Sequence, residues 1–178
     1  MAEKGLNDAC GAAHGGLPVG AALRSDTDDR VGGDKSMIRK FSDRDIDEVM
    51  EIWLCSNMEA HAFIPADDWK SHFDDVREQI VQAEVYVSER NGVVNGFIGM
   101  TGDEIAGIFV KKAERQQGIG TELLNTAKLY RRELRLSVYK KNQPAVRFYE
   151  NAGFRIAACE TDTDTGEEAY TMVWIRPK

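Results

Sequence analysis

The sequence predicts an α+β domain built on a mixed, mostly antiparallel sheet of about seven strands. Three observations predict it. From Met37 onward, short β-type segments alternate with segments of helical period. Asn91-Gly92, a strong hairpin signal, lies between two of the β-type segments. A later strand runs through a glycine turn straight into an amphipathic helix. The length agrees, since 178 residues with 42% hydrophobic side chains suffice for one sizeable core, or one core plus a tail.

The 23 Lys+Arg and 30 Asp+Glu give a formal net charge of −7, which argues against non-specific nucleic-acid binding and gives no global pull towards an anionic membrane. No apolar run approaches the ~20 residues that span a bilayer, and the first residues lack the apolar stretch of a secretory signal, so the expected location is the cytoplasm. Cys10, Cys55 and Cys159 show neither CxxC nor Cys/His ligand spacing. They are expected to be reduced thiols, Cys55 and Cys159 buried within apolar segments, and no metal is expected.

Residues 1–36 hold no Phe, Trp or Tyr and seven glycines, and residues 25–36 have the polar, aperiodic composition of a linker. They are expected to form an N-terminal extension, flexible or a remnant, ahead of a domain covering 37–177. Residues 12–23 weakly resemble the opening of cytosine and cytidine deaminases. The H-x-E and P-C-x-x-C motifs of that family are absent, so no deaminase activity is expected.

The elements follow in order. Met37 to Phe41 alternates as a strand, and Ser42 with Asp45 three residues on is a capping-box start for a helix whose apolar face is Ile46, Val49, Met50 and Trp53. Ser56 to Pro65 reads as a loop carrying His61 and Phe63. A second helix is expected from about Ala66 to Gln82, with Trp69, Phe73, Val76 and Ile80 on one side. Strands at Val85–Val87 and Val93–Met100 flank the Asn-Gly turn, and Glu104–Val110 completes an antiparallel meander.

Next comes Arg115-Gln116-Gln117-Gly118-Ile119-Gly120, ahead of a helix with apolar positions Ile119, Leu123, Leu124, Ala127 and Tyr130. Glycines at a helix start allow close backbone approach, and the unpaired first-turn amides form an anion site suited to phosphates. Between Lys111 and Arg147 ten basic residues face three acidic ones, an asymmetry that fits a polyanionic ligand. The chain has no G-x-x-x-x-G-K-[ST] motif. A dinucleotide fingerprint would need a small residue where Leu123 stands. Leu134 to Tyr139 is then a strand, and Asn142 and Pro144 open a short helix that Gly153 closes, with Ala145, Phe148, Tyr149 and Ala152 on one stripe. Phe154–Glu160 and Ala169–Ile175 form a final hairpin.

The combination of Arg115-x-x-Gly118-x-Gly120 with Asn142-x-x-Ala145-x-x-x-Tyr149-x-x-x-Gly153-Phe154 resembles the acetyl-CoA signature of the GNAT superfamily of N-acetyltransferases, and the order of elements over 37–177 matches. His61-Ala-Phe-Ile64 before Trp69 and the Lys141 to Val146 run resemble small bacterial enzymes that acetylate protein lysines. One departure is Lys112, where the family commonly has proline. The resemblance implies helices on both faces of the sheet and a V-shaped splay between the fourth and fifth strands. It implies acetyl-CoA as cosubstrate, held by the main-chain amides of Gln116, Gln117, Gly118, Ile119, Gly120 and Thr121 with Arg115 in support. The backbone of Ile108, Phe109 and Val110 would bind the pantetheine arm, and Asn142, Ala145 and Tyr149 would complete the cofactor side.

Tyr149 is the implied general acid and Glu104 the candidate base, with His61 and His72 as alternatives. His61, Phe63 and Trp69 are expected on the acceptor side. Direct attack in a ternary complex on a primary amine, of a protein lysine or a small molecule, is the expected chemistry. The alternative is a non-catalytic acyl-CoA-binding sensor or interaction module. Acceptor choice is expected to lie in His61–Gln82 and in the Asp162–Glu168 turn, and a homodimer is the first expectation for assembly.

Overall fold

The computed structural model describes residues 36–177. The first strand, β1 (Met37–Lys40), leads through a 3-10 turn (Asp43–Asp45) into α1 (Ile46–Ala60). Ser42 N–H donates to Asp45 Oδ2 at 2.8 Å, the reciprocal half of the expected capping box. The same carboxylate takes a forked pair from Arg39, Nη1 at 2.7 Å and Nη2 at 2.9 Å, so one side chain ties β1 to the start of α1.

Two expectations are corrected here. Residues 56–60, expected to be loop, continue α1, because Ser56 and Asn57 are buried in it and Asn57 Nδ2 donates to Trp53 O at 2.9 Å. The expected helix over 66–82 is two helices, α2 (Ala66–Ser71) and α3 (Phe73–Gln82), broken at His72 with φ −97° and ψ 2°. The apolar stripe runs on through the break, with Trp69, Val76 and Ile80 in one core and Phe73 against it, so periodicity alone does not reveal it.

Next in the chain are β2 (Glu84–Arg90), β3 (Val93–Thr101), β4 (Glu104–Val110), α4 (Ile119–Tyr130), β5 (Glu133–Tyr139), α5 (Gln143–Asn151), β6 (Arg155–Thr161) and β7 (Glu168–Ile175). Asn91 and Gly92 both have positive φ, 55° and 77°, as the tight turn between β2 and β3 requires. The seven strands form one sheet in the order β1-β2-β3-β4-β5-β7-β6. Every neighbouring pair is antiparallel except β4 and β5, which run parallel and pair only at Glu104↔Arg135 and Ile105↔Leu136. Just beyond those pairs the β3–β4 register slips. Gly99 faces Gly107 while Met100 faces Ile105, so Ala106 is a bulge residue. From the bulge on β4 stays with β3 and β5 with β7, and the sheet opens into a V.

A core lies on each face. Ile108, Val110, Ile119, Leu123, Val138, Ala145 and Tyr149 belong to the one under α4 and α5. Val49, Trp53, Trp69, Phe97, Phe109 and Tyr139 belong to the one under α1, α2 and α3. Cys55 and Cys159 are free and exposed, which corrects the expectation that they are buried: Cys55 lies off the buried stripe of α1, and Cys159 lies on the edge strand β6, exposed along nearly its whole length. Among the described residues no helix is long and apolar enough to cross a membrane.

Candidate active site

The segment after β4 is built to present backbone amides. Lys111 N–H still bonds to Asn95 O at 2.9 Å, and then a 3-10 turn (Lys112–Glu114) lifts the chain away from the sheet. Gln116 and Gly118 both take left-handed conformations, φ 64° and 85°. Alternation of this kind turns successive N–H groups into one concavity. The first intrahelical bond of α4 is Glu122 N–H to Gly118 O at 3.0 Å, so the amides of Ile119, Gly120 and Thr121 precede the ladder and carry the positive end of the helix. A Cβ at Gly118 would meet nothing within 4 Å, so the concavity is open where the phosphates are expected. Gly96 has the opposite role. A Cβ there would lie 2.9 Å from Phe109 O and 3.2 Å from Ile119 Cγ2, so its absence lets the first residue of α4 rest on β3.

Two arginines brace this loop. Arg115 Nε donates to Val110 O at 3.0 Å and its Nη1 pairs with Glu59 at 3.0 Å, leaving the side chain 11% exposed. Its guanidinium fastens the loop to β4 and α1. Lys112, in the place of the family's proline, pairs with Glu59 at 2.8 Å. Lys112 foremost, with Arg115, holds the Glu59 carboxyl below its ordinary range. From β2, Arg90 Nη1 donates to Glu114 Oε2 at 3.1 Å and Nη2 to Gln117 Oε1 at 3.2 Å.

The basic excess between Lys111 and Arg147 is likewise largely matched by acids. Lys111 pairs with Glu48, Arg131 with Glu84, Arg135 with Glu133, Lys140 with Glu168 and Lys141 with Glu167. That leaves the amides, more than free cations, as the groups that could meet an anion here.

On the α5 side, Asn142 is buried and its Oδ1 accepts from Ala145 N–H at 3.3 Å, the expected cap. Its Nδ2 is buried with no hydrogen-bond partner among the described residues, a donor available to a ligand. Tyr149 is fully buried in the same core as Ile108, Val110, Ile119 and Ala145, edge-on to Phe154 at 5.5 Å. These cofactor-side candidates are thus brought together. Phe109 differs, since its ring stacks on Phe97 at 4.8 Å in the opposite core and only its backbone shares the strand end.

The acceptor-side candidates gather across the sheet. His61 stacks on Trp69 at 5.5 Å and meets Phe63 edge-on at 5.5 Å and Tyr139 at 5.2 Å. It is 0% exposed, although the sequence places it in a loop: α1 runs up to it and aromatic rings enclose it. Tyr139, which sequence reasoning missed, closes β5 beside the opening. The available signal was strand alternation, which sets it opposite Val138 and so on the α1 face. Glu104 is half-buried at the joined end of the V, and His72 Nδ1 lies 2.6 Å from Asp68 O of its own turn. Among the described residues no group of three or more His, Cys, Asp or Glu could hold a metal ion.

This architecture has relatives. Residues 82–156 match the family model described as an acetyltransferase (GNAT) domain. The chain is 34% identical over 140 residues to the peptidyl-lysine N-acetyltransferase YiaC of Escherichia coli K12, covering 78% of this chain and 96% of that protein. The solution structure of apo YjaB from Escherichia coli superimposes with a TM-score of 0.71 at 23% identity, covering 80% of this chain and 99% of that one. Salmonella typhimurium yncA, solved with its cofactor acetyl-CoA, shares the fold at a TM-score of 0.57 and 19% identity, covering 81% of this chain and 95% of that one. The likeness of residues 12–23 to a deaminase opening is not borne out, and those residues lie outside the described ones. An open V beside an amide-lined helix start, a family model across both, and a relative matched over nearly its whole length lead to one conclusion: the chain belongs to the GNAT family of N-acetyltransferases, enzymes whose acyl donor is acetyl-CoA.

Proposed function

We propose that the protein acetylates the ε-amine of lysine side chains in proteins, by direct attack on acetyl-CoA in a ternary complex. The observation that carries the reading is the opening between β4 and β5, which has the cofactor-side residues on one face of the sheet and an aromatic cluster on the other. Two reactants can enter from opposite sides and meet there, and such positioning lowers the barrier by removing the entropy of encounter. The name of the relative YiaC, a peptidyl-lysine N-acetyltransferase, supports lysine as the acceptor.

The donor supplies a thioester carbonyl, and the chain supplies the rest. The amides of 116–121 would seat its diphosphate, and Asn142 Nδ2 would give its unused hydrogen to the arm. The Ile108 and Val110 backbone, released from β5, would align the arm, with Val110 N–H directed at charge developing on the carbonyl oxygen. Tyr149, enclosed in the same core, would protonate the departing sulfur. Glu104 stands six residues before Val110, ~20 Å along the strand, out of reach by contact or through one bridging water, so it would take the amine's proton only along a chain of waters.

The test is turnover on a panel of lysine peptides and small amines, read by thiol release and product mass. Tyr149→Phe should lower kcat ~10²-fold while leaving the acetyl-CoA dissociation constant nearly unchanged. Undiminished turnover in this variant would remove Tyr149 as the acid. Acetylation of small amines with none on any lysine peptide would replace the acceptor.

A further inference from the structure

We propose that Phe63 and Glu167 form a seat for a primary ammonium at the rim of the acceptor side, and that Lys141 occupies it until a substrate lysine displaces it. The proposal rests on the lysine-acceptor reading and names the subsite which that reading lacks. Lys141 Nζ lies 5.2 Å from the centroid of the Phe63 ring and 2.7 Å from Glu167 Oε1. An aromatic face and a carboxylate converging on one point make the chemistry that recognises an alkylammonium: ring quadrupole and anion both favour the cation.

The seat is part of the scaffold, whereas its occupant is removable. The Glu167 side chain is 22% exposed and the Lys141 side chain 57%. Phe63 is fixed edge-on against Tyr139 at 5.7 Å and His61 at 5.5 Å. The Glu167 backbone carbonyl accepts from Asp162 N–H at 2.8 Å, which holds the last turn in place. The two walls come from the α1–α2 connection and the β6–β7 turn, the two segments in which the sequence places acceptor choice. Tyr139 closes β5 where it parts from β4, and Lys141 stands two residues on, so the seat lies at the entrance and not in the slot itself.

An intramolecular occupant lowers the apparent affinity of a competitor by the fraction of time the seat is open. Lys141→Met keeps the aliphatic stem and removes the charge. It should lower KM for a lysine peptide ~3–10-fold, with kcat and KM for acetyl-CoA within ~2-fold. Lys141→Arg, which keeps a cation in place, should keep the wild-type KM. Glu167→Gln should raise KM for the peptide, and the gain from Lys141→Met should disappear in the Lys141→Met/Glu167→Gln chain. An unchanged or higher KM in Lys141→Met, or an equal gain in the double variant, overturns the seat. If the wild-type chain acetylates other primary amines but no lysine peptide, the lysine reading fails by itself, and the same variants test the seat with the amine that is accepted.

Discussion

Asp45 joins three parts of the chain through one carboxylate: Arg39 on β1, the Ser42 amide, and the turn that opens α1. Its side chain is 4% exposed, so these bonds act where solvent screens them little. Asp45→Asn should cost about 2–3 kcal/mol, since it loses the charge-assisted fork and leaves Arg39 with Glu89 and the Lys40 carbonyl. The pH dependence has a definite sign. Arg39 foremost holds the Asp45 carboxyl below its ordinary range. The stability it contributes is therefore complete above the unfolded value of about 4 and is lost as pH falls through the lower folded one. Urea midpoints should show a wide gap between wild type and Asp45→Asn at neutral pH that narrows below pH ~3. A gap of constant width would mean that the carboxylate is not what stabilises this corner. The Ser42–Asp45 half of this network is legible as a spacing of three. Arg39 is not, because its forked geometry depends on β1 lying against the start of α1. The burial of His61, itself a candidate in the sequence, is hidden for the same reason: Tyr139 meets it only in the folded chain.

Among the elements, the loop between β4 and α4 depends most on support from outside itself. Its left-handed positions carry strain at Gln116, a side-chain residue at φ 64°. Such a conformation persists only when its surroundings hold it. Arg90 does so by gripping Glu114 and Gln117, while Arg115 grips Val110 O. Arg90→Gln should raise the dissociation constant for CoA ~5–10-fold through loss of a charge-assisted contact, with kcat at saturation nearly unchanged. Arg90→Lys, which keeps the charge near Glu114 but cannot also bridge Gln117, should fall between. Titration calorimetry with CoA reads the first effect, and equal affinity in all three proteins would show that the loop holds its shape unaided. Gly118 is legible in the sequence because a left-handed helix start calls for glycine. Arg90 stands 27 residues from Gln117 and belongs to no motif, so the hairpin that carries it across has to be folded before the contact exists.

At the scale of the molecule, the sheet is two antiparallel ladders, β1 to β4 and β5-β7-β6, joined through two paired positions. The order of elements and the meander follow from periodicity and the Asn-Gly turn. The opening comes from Ala106 slipping the β3–β4 register, which no local pattern shows. The core under α4 and α5 spans both ladders, with Ile98 and Met100 beside Leu134 and Met172, and so prevents the V from opening further. A ligand in the opening would bond to backbone that now lacks a partner strand, and its binding energy would add to the cohesion of the two ladders. CoA at ~100 times its dissociation constant should then stabilise the fold by about 2.7 kcal/mol and raise Tm by roughly 5–10 °C. Amide exchange should slow at Ile108 to Val110 by more than in the β2–β3 hairpin, which is already paired along its length. Gly118→Asp, which places a carboxylate where the diphosphate is expected, should abolish both effects; it meets no steric clash, and the strain of a side chain at φ 85° should cost about 1–2 kcal/mol, read as a lower Tm without ligand. A rise in Tm without added protection at Ile108 to Val110 would put CoA elsewhere on the molecule, and the opening between β4 and β5 would need another explanation.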